Sequence, residues 1–291
     1  MVEKRRMLNS ARITCDFLGL KPGDTALLCM PLDYIAGKMM VVRSLLRDLR
    51  LTSVRPSSHP LADETLPSFT FAAMVPMQVY NSLKVPCERE RLMRIRHLII
   101  GGGAISDELA QMIKPLPNAV WSTYGMTETL SHIALRRLNG PDASLWYTPF
   151  DGVGISLNAD GCLVIDAPEV CAEPLVTNDI ALLRTDDRTG KTLFRIKGRK
   201  DNVVCSGGIK IQIEEVEETL RPHLSAPFMI IKRQDEMLGE KAILLTESAD
   251  LTHIEEICRN TLPKYWVPRE FLHIDHLPLT ETGKPKRSGA F

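Results

Sequence analysis

The 291-residue sequence has no surplus of either charge: 36 Lys and Arg stand against 36 Asp and Glu. That balance removes the electrostatic case for a nucleic-acid binder. No apolar run approaches the ~20 residues of a membrane span. The charged start MVEKRRMLNS has no apolar segment behind it, so a signal peptide is not expected. There is no C-x-x-C pair. The seven cysteines (Cys15, Cys29, Cys87, Cys162, Cys171, Cys205, Cys258) are scattered and odd in number, which leaves a zinc site or redox pair without support. They are expected to be free, buried thiols in a reducing cytoplasm. Internal repeats and low-complexity tracts are also missing. What remains is an ordinary globular composition, 44% hydrophobic and 25% charged. It excludes a disordered, collagen-like or disulfide-scaffold chain. The length fits about two domains.

Periodicity predicts a helix over 3–20 ended by Gly19, a turn at 21–24, and a buried strand over 25–30. Helices are expected over 37–49 and over 69–83, the latter interrupted by Pro76. The run HLII (97–100) reads as a strand closed by Gly101-Gly102-Gly103, and Ser106 as the cap of a helix through Met112. A further short strand is expected over 119–122. Alternating strands and helices argue for α/β layers over 1–138. From Asn139 turn signals recur at short intervals, predicting an antiparallel, barrel-like β region over 139–197. Beyond the polar stretch Lys197–Asn202 the pattern is mixed. Helices over 212–220 and 251–262 and strands over 228–232 and 241–247 make a small α+β domain of residues 201–291.

Gly101-Gly102-Gly103-Ala104 follows a strand and precedes a helix, but Ser106 stands where a dinucleotide fingerprint needs Gly. No acidic residue stands ~20 positions on in the strand-end context that the fingerprint needs. In YGMTET (124–129), Thr127 offers a hydroxyl and Glu128 a hard oxygen suited to Mg²⁺; taken alone, such a pair caps a helix. In TNDI (177–180), Asp179 suits two sugar hydroxyls, or a turn. GRKDN followed by Ser206-Gly207-Gly208 combines a fixed cation with a Gly pair, or makes a charged linker. LPLTETGK (277–284) puts Lys284 behind a Gly, or is a solvated tail.

In order, these segments resemble the adenylate-forming superfamily of acyl- and aryl-CoA ligases, luciferases and peptide-synthetase adenylation domains. The matching stretches are PLDYIAG (31–37), MVPMQVYNSL (74–83), IRHLIIGGGAIS (95–106), STYGMTET (122–129), GVGISL (152–157), TNDIALL (177–183), FRIKGRKDNVVCSGGIKIQIEEVE (194–217), QDEMLGE (234–240), LPKYWVPREF (262–271) and LPLTETGKPKR (277–287). The resemblance covers nearly the whole chain. It is carried by YGMTET and by GRKDN with its following SGG. VPMQ, the compact loops and the short tail make the chain most similar to the 2-succinylbenzoate–CoA ligase subfamily of menaquinone biosynthesis.

The resemblance implies an α/β fold: the C-terminal part of a large AMP-binding domain (1–200), followed by the small domain. It implies a cytoplasmic ligase that uses ATP, Mg²⁺ and coenzyme A on a small carboxylate through an acyl-adenylate. A fatty-acyl or other aryl-CoA ligase, or a degenerate binding protein, is the alternative. It implies a homo-oligomer as one possible assembly, with neither a nucleic-acid partner nor a membrane span. Lys284 takes the catalytic position. Gly102, Gly103, Ala104, Tyr124, Gly125, Thr127, Asp179 and Arg199 fall at nucleotide-binding positions, and Glu128 at the metal position. Asp201 falls at the hinge, Gly207 and Gly208 at the coenzyme A channel, and Tyr34, Gly101, Ser122 and Thr123 at the acyl pocket. Two departures stand out. Tyr34 occupies a place where many members carry His. The family's Ser/Thr/Gly-rich phosphate loop is not among these residues, so the chain is expected to be a fragment that is inactive alone. Glu214, Glu215, Glu217 and Glu218 are expected on the solvated face of a helix packed through Val216 and Leu220, and Trp146 and Trp266 in packing roles.

Overall fold

Helix α1 (Lys4–Leu18) buries Ala11, Cys15 and Leu18 along one stripe and stops at Gly19, whose φ of +64° ends the turn. The Gly19 N–H returns to the Asp16 carbonyl and the Leu20 N–H to that of Cys15, so the last carbonyls are satisfied. Strand β1 (Thr25–Leu28) follows, then α2 (Ile35–Arg47) and β2 (Arg50–Ser53). Next come β3 (Phe71–Met74), α3 (Pro76–Lys84), α4 (Pro86–Met93), β4 (His97–Ile100), α5 (Asp107–Ile113), β5 (Ala119–Gly125), β6 (His132–Arg137) and β7 (Thr148–Pro149). The computed structural model that defines these elements describes residues 3–103, 105–279 and 286–287.

These strands form one sheet in the order β2-β1-β3-β4-β5-β6-β7. Pairing is parallel from β2 through β5 and antiparallel from β5 to β7. The expected helix over 69–83 is corrected: its first part is β3, all four residues buried. A central parallel strand is covered on both faces and shows no alternation. Pro76 opens α3 instead of interrupting it, since its missing N–H costs nothing in a first turn. Ser106 caps α5 as expected, accepting from the Leu109 N–H at 3.2 Å.

Further on, β8 (Gly154–Leu157), β9 (Cys162–Asp166), β10 (Leu175–Thr185) and β11 (Thr192–Arg199) form a four-stranded sheet in the order β11-β10-β9-β8. A 3-10 turn over Lys200–Asn202 leads to β12 (Val203–Ser206) and β13 (Ile209–Gln212). Then come α6 (Ile213–Leu220), β14 (Phe228–Asp235), β15 (Gly239–Thr246), α7 (Leu251–Thr261) and β16 (Glu270–His273). The third sheet runs β13-β12-β15-β14, with β16 parallel to β15. Its two faces alternate along β14. Ile230 joins Val204, Val216, Leu220, Ile254 and Cys258 in one cluster, while Met229 and Ile231 join Ile243 and Leu245 in another. Trp266 packs on the first cluster, and Trp146 lies half-buried under Arg184. Glu217 is a correction. It is not solvated but buried, bound by Arg287.

The chain divides into two units. The first holds the chain up to Ser156 with Val164–Val176 and Leu183–Arg195; the second holds Leu157–Leu163, Thr177–Leu182 and the described residues from Ile196 on. Of the cysteines, Cys87 and Cys205 are exposed and the other five buried; all are free. Among the described residues no helix is long and apolar enough to cross a membrane.

Candidate active site

In the first unit, a cavity of about 200 Å³ opens where the parallel strands end. Open parallel sheets bind ligands at the carboxyl ends of their strands. Met74 and Val75 come from the end of β3, Gly101 and Gly102 from the end of β4, and Thr123 and Gly125 from β5. Two of these positions demand glycine. A Cβ on Gly101 would stand 2.4 Å from Thr123 Oγ1, and one on Gly125 would stand 2.5 Å from both the Ser131 carbonyl oxygen and His132 Cα. The glycines therefore let β5 close against its neighbours.

The turn after β5 is pinned from inside. The Met126 N–H donates to Thr129 Oγ1 at 2.9 Å, and the buried Thr129 hydroxyl lies 2.7 Å from the Ser131 carbonyl oxygen. No helix follows Thr127 and Glu128, so they do not cap one. They sit exposed on the turn, which leads directly into β6. Leu130, on the cavity wall, is held at φ +63°, a region that costs a branched side chain strain.

The floor of the cavity contains a residue the sequence reading missed. Arg43 of α2 is 2% exposed. Its Nη2 donates to Ser131 Oγ at 2.6 Å, its Nη1 lies 4.0 Å from the Met40 sulfur, and its Nε has no hydrogen-bond partner among the described residues. Among the described residues no carboxylate pairs with it. Burial pulls its pKa down to about 10, which leaves it a cation at neutral pH. Beside it, His132 is held well below the usual imidazole range, by burial first and by the Arg43 charge second. His132 Nδ1 lies 3.2 Å from Ser131 Oγ, and its Nε2 lies 3.2 Å from Thr14 Oγ1. The available signal was an Arg at helical spacing from Met39 and Met40, in a stretch that also holds Val41, Val42, Leu45 and Leu46.

The expected site residues divide as follows. Gly101, Gly102, Thr123 and Gly125 come together on the cavity. Ser122 is buried behind it, its hydroxyl 3.0 Å from that of Tyr147, and Tyr124 packs on Tyr147 and Phe194. Gly103 follows Gly102 without lining the cavity. Tyr34 stands at the N-cap of α2, 64% exposed, and Ile35 and Ala36 make the wall in its place. In the second unit, Asp179, Arg199 and Asp201 come together. Arg199 Nη1 lies 3.9 Å from Asp179 Oδ1, and its Nη2 donates to Asp201 Oδ2 at 3.2 Å. Asn178 also donates to Asp201, at 3.3 Å. Gly207 (φ +56°) and Gly208 (φ +82°) make the tight turn between β12 and β13. Ala104 and Lys284 lie outside the described residues.

No three His, Cys, Asp or Glu side chains converge as a metal site among the described residues. Glu128 alone still fits Mg²⁺, which keeps most of its ligands as water and substrate phosphate.

The model of the family described as AMP-binding enzyme matches residues 1–172. A 2-succinylbenzoate–CoA ligase of Bacillus mycoides is 25% identical over 92% of this chain and 61% of its own length. The chain thus spans about 61% of the length of that curated relative. A crystal structure of an acyl-CoA synthetase (AMP-forming)/AMP-acid ligase II-like protein from Dyadobacter fermentans is 33% identical. It superposes with a TM-score of 0.67 over 98% of this chain and 83% of that one. The O-succinylbenzoate coenzyme A synthetase of Bacillus subtilis, in complex with ATP and magnesium ion, shares the fold. Its TM-score is 0.76 at 21% identity, over 98% of this chain and 65% of that one. With the family model matching well over half of its residues, and a one-third-identical structure following nearly all of it, the chain belongs to the AMP-binding enzyme family.

Proposed function

We propose that this chain carries most of an ATP-dependent carboxylate–CoA ligase whose acid has a second carboxylate, as 2-succinylbenzoate does. The observation that carries the reading is Arg43: a buried cation on a cavity floor with no carboxylate partner among the described residues. A buried charge left unpaired costs several kcal/mol (about 3–5 where a partner has been removed), and a ligand carboxylate offsets that cost. A fatty acid would bring only methylenes to the same guanidinium.

In this reading one carboxylate of the acid lies against Arg43 and the other attacks the α-phosphate of ATP. Pyrophosphate leaves, and the thiol of coenzyme A then displaces AMP. The protein supplies position and charge, not covalent chemistry. Lys284 bridges the attacking carboxylate and the α-phosphate. Thr127 contacts phosphate, and Glu128 would hold Mg²⁺, which would supply charge neutralisation there. Asp179 accepts from the ribose hydroxyls beside Arg199. Gly101–Ala104 with Ser122–Gly125 shape the adenine and acyl pocket, and Ile35 and Ala36 make the wall where Tyr34 was expected. Asp201 serves as the hinge, and Gly207 and Gly208 border the coenzyme A channel. The family's phosphate loop is not among the 291 residues, so these residues alone are expected to adenylate poorly.

The test is direct binding by calorimetry. 2-Succinylbenzoate is compared with the two monoacids that each lack one of its carboxyls. The wild-type chain is expected to prefer the diacid, and Arg43→Met to abolish the preference. Equal affinities for diacid and monoacids in the wild type would refute the reading. ATP–pyrophosphate exchange on a panel of acids, with a phosphate loop supplied ahead of these residues, then tests the reaction itself.

A further inference from the structure

The four polar side chains under the cavity form a chain whose directions are determined from one end. The Thr14 hydroxyl donates to the Ser10 carbonyl oxygen at 3.1 Å, within α1. A hydroxyl has one hydrogen, so toward His132 Nε2 at 3.2 Å Thr14 only accepts. His132 Nε2 therefore carries the proton. A neutral imidazole protonated there presents Nδ1 as an acceptor. The neutral form follows from burial beside a guanidinium. Nδ1, 3.2 Å from Ser131 Oγ, then takes the serine's hydrogen. What is left on Ser131 Oγ is lone pairs alone, and they face Arg43 Nη2 at 2.6 Å.

We infer that His132 is a specificity-positioning residue. Through its Nε2–H tautomer it orders the Ser131 hydroxyl as a pure acceptor, and Ser131 then holds the Arg43 guanidinium in the pose that receives the acid's second carboxylate. With the tautomer reversed, Ser131 would meet two donors, and its own hydrogen would be free to turn toward the guanidinium. Among the described residues no other side-chain oxygen bonds Arg43. Its Nη1 lies 4.0 Å from the Met40 sulfur, and its Nε has no hydrogen-bond partner among the described residues. The ring is fixed as well by its edge-on packing at 5.5 Å against Phe150. The backbone that carries Ser131 and His132 is pressed against Gly125. The inference rests on the diacid reading of the pocket and adds to it the residue that sets the guanidinium's pose.

Two measurements test it. Long-range ¹H–¹⁵N spectra of the wild-type chain, with the His132 signals assigned by their loss in His132→Asn, read the tautomer without any ligand. Neutral Nε2–H is expected; an Nδ1–H ring or an imidazolium overturns the inference. Calorimetry with 2-succinylbenzoate and its two monoacids reads the consequence. His132→Asn places an amide oxygen where Nδ1 stood and is expected to keep the diacid preference. His132→Phe and Ser131→Ala are expected to lose about tenfold of it, the scale of one hydrogen bond to a charged group. Should His132→Phe fold poorly, Ser131→Ala and the spectra still decide. If Arg43→Met destroys the preference while His132→Phe and Ser131→Ala leave it intact, the positioning inference fails and the diacid reading stands. If the wild type shows no preference, the diacid reading fails and takes this inference with it.

Discussion

Arg287 grips Glu217 with both prongs of its guanidinium, Nη1 to Oε1 at 2.6 Å and Nη2 to Oε2 at 2.8 Å. The same Nη1 donates to the Ile230 carbonyl oxygen at 2.5 Å, and the Ile230 N–H donates to Glu217 Oε1 at 2.7 Å. A helix, a strand and Arg287 thus meet at one carboxylate, which is 6% exposed. Removing one partner of a buried, bidentate pair leaves the other charge uncompensated. Arg287→Met is therefore expected to lower the unfolding free energy of the second unit by about 3–5 kcal/mol in urea titrations. Lys286→Ala, on the exposed neighbour, is expected to stay within about 0.5 kcal/mol of wild type. A stable Arg287→Met chain would show the clasp to be incidental. Arg287 lies three positions beyond Lys284, so in the proposed ligase the same variant is expected to slow adenylate formation.

The buried imidazole gives the first unit a pH signature. His132 is held well below its unfolded value, by burial and then by Arg43. Below the ordinary histidine pKa of ~6.5 the unfolded chain takes up a proton that the folded chain refuses. Stability is then lost as pH falls from that value toward the folded pKa, at up to ~1.4 kcal/mol per pH unit. His97 shifts the same way, through burial first and the charges of Arg96 and Arg137 after it, and contributes in the same window. His132→Asn is expected to flatten the slope between pH 5 and 6.5 by its own share and leave that of His97. Urea midpoints measured across that range decide it; identical slopes in wild type and variant would count against the burial argument.

The close approach of Gly101 to Thr123 predicts a coupled pair. An added methyl at 101 would meet Thr123 Oγ1 at 2.4 Å. Gly101→Ala is expected to cost about 1–3 kcal/mol by overpacking. Thr123→Ala removes the obstructing oxygen, so the double variant is expected to recover much of that loss. Closeness of this kind makes mutational effects non-additive. Strictly additive denaturation energies would mean that β4 and β5 part easily. Gly125 offers no such suppressor, because the atoms its Cβ would meet belong to the backbone of Ser131 and His132.

Local chemistry made much of this fold legible. HLII, the Ser106 cap, Gly19 and the helices α6 and α7 each announce themselves within a few residues. The segment FAAM did not, because a strand buried on both faces loses its alternation, and Ala and Met favour helices. Strands β12 and β13 are four residues each and half polar. They exist through their hairpin register, Val203 opposite Gln212 and Ser206 opposite Ile209. Glu217 reads as one more solvated acid until its distant partner, 70 positions on, is known. Arg43 was hidden for a related reason: a lone cation in MMVVRSLL takes its meaning from the cavity that α2 faces. The glycines, Thr127 and Glu128 were found through motif resemblance, and their exposure or contact with the cavity came from the fold.

The last prediction concerns Asp179. Its carboxylate is half-buried on β10, with the Arg199 guanidinium 3.9 Å away and the Thr177 hydroxyl accepting from its own N–H at 3.1 Å. If this acid receives the ribose hydroxyls, AMP is expected to bind the chain more tightly than 2′-deoxy- or 3′-deoxy-AMP. Each lost hydrogen bond to a charged group is worth about 1.5–3 kcal/mol. Asp179→Asn keeps the shape but lowers the acceptor strength, and it is expected to narrow the gap between AMP and its deoxy forms. Asp179→Ala is expected to erase it. Arg199 stays anchored in both variants by Asp201, at 3.2 Å, so the loss reports on the sugar contact and not on a displaced arginine. Arg199→Lys is expected to weaken all three nucleotides alike, since an ammonium cannot reproduce a planar fork. Fluorescence or calorimetric titration of the three nucleotides separates the patterns. A deoxy penalty that survives Asp179→Ala would place the ribose elsewhere.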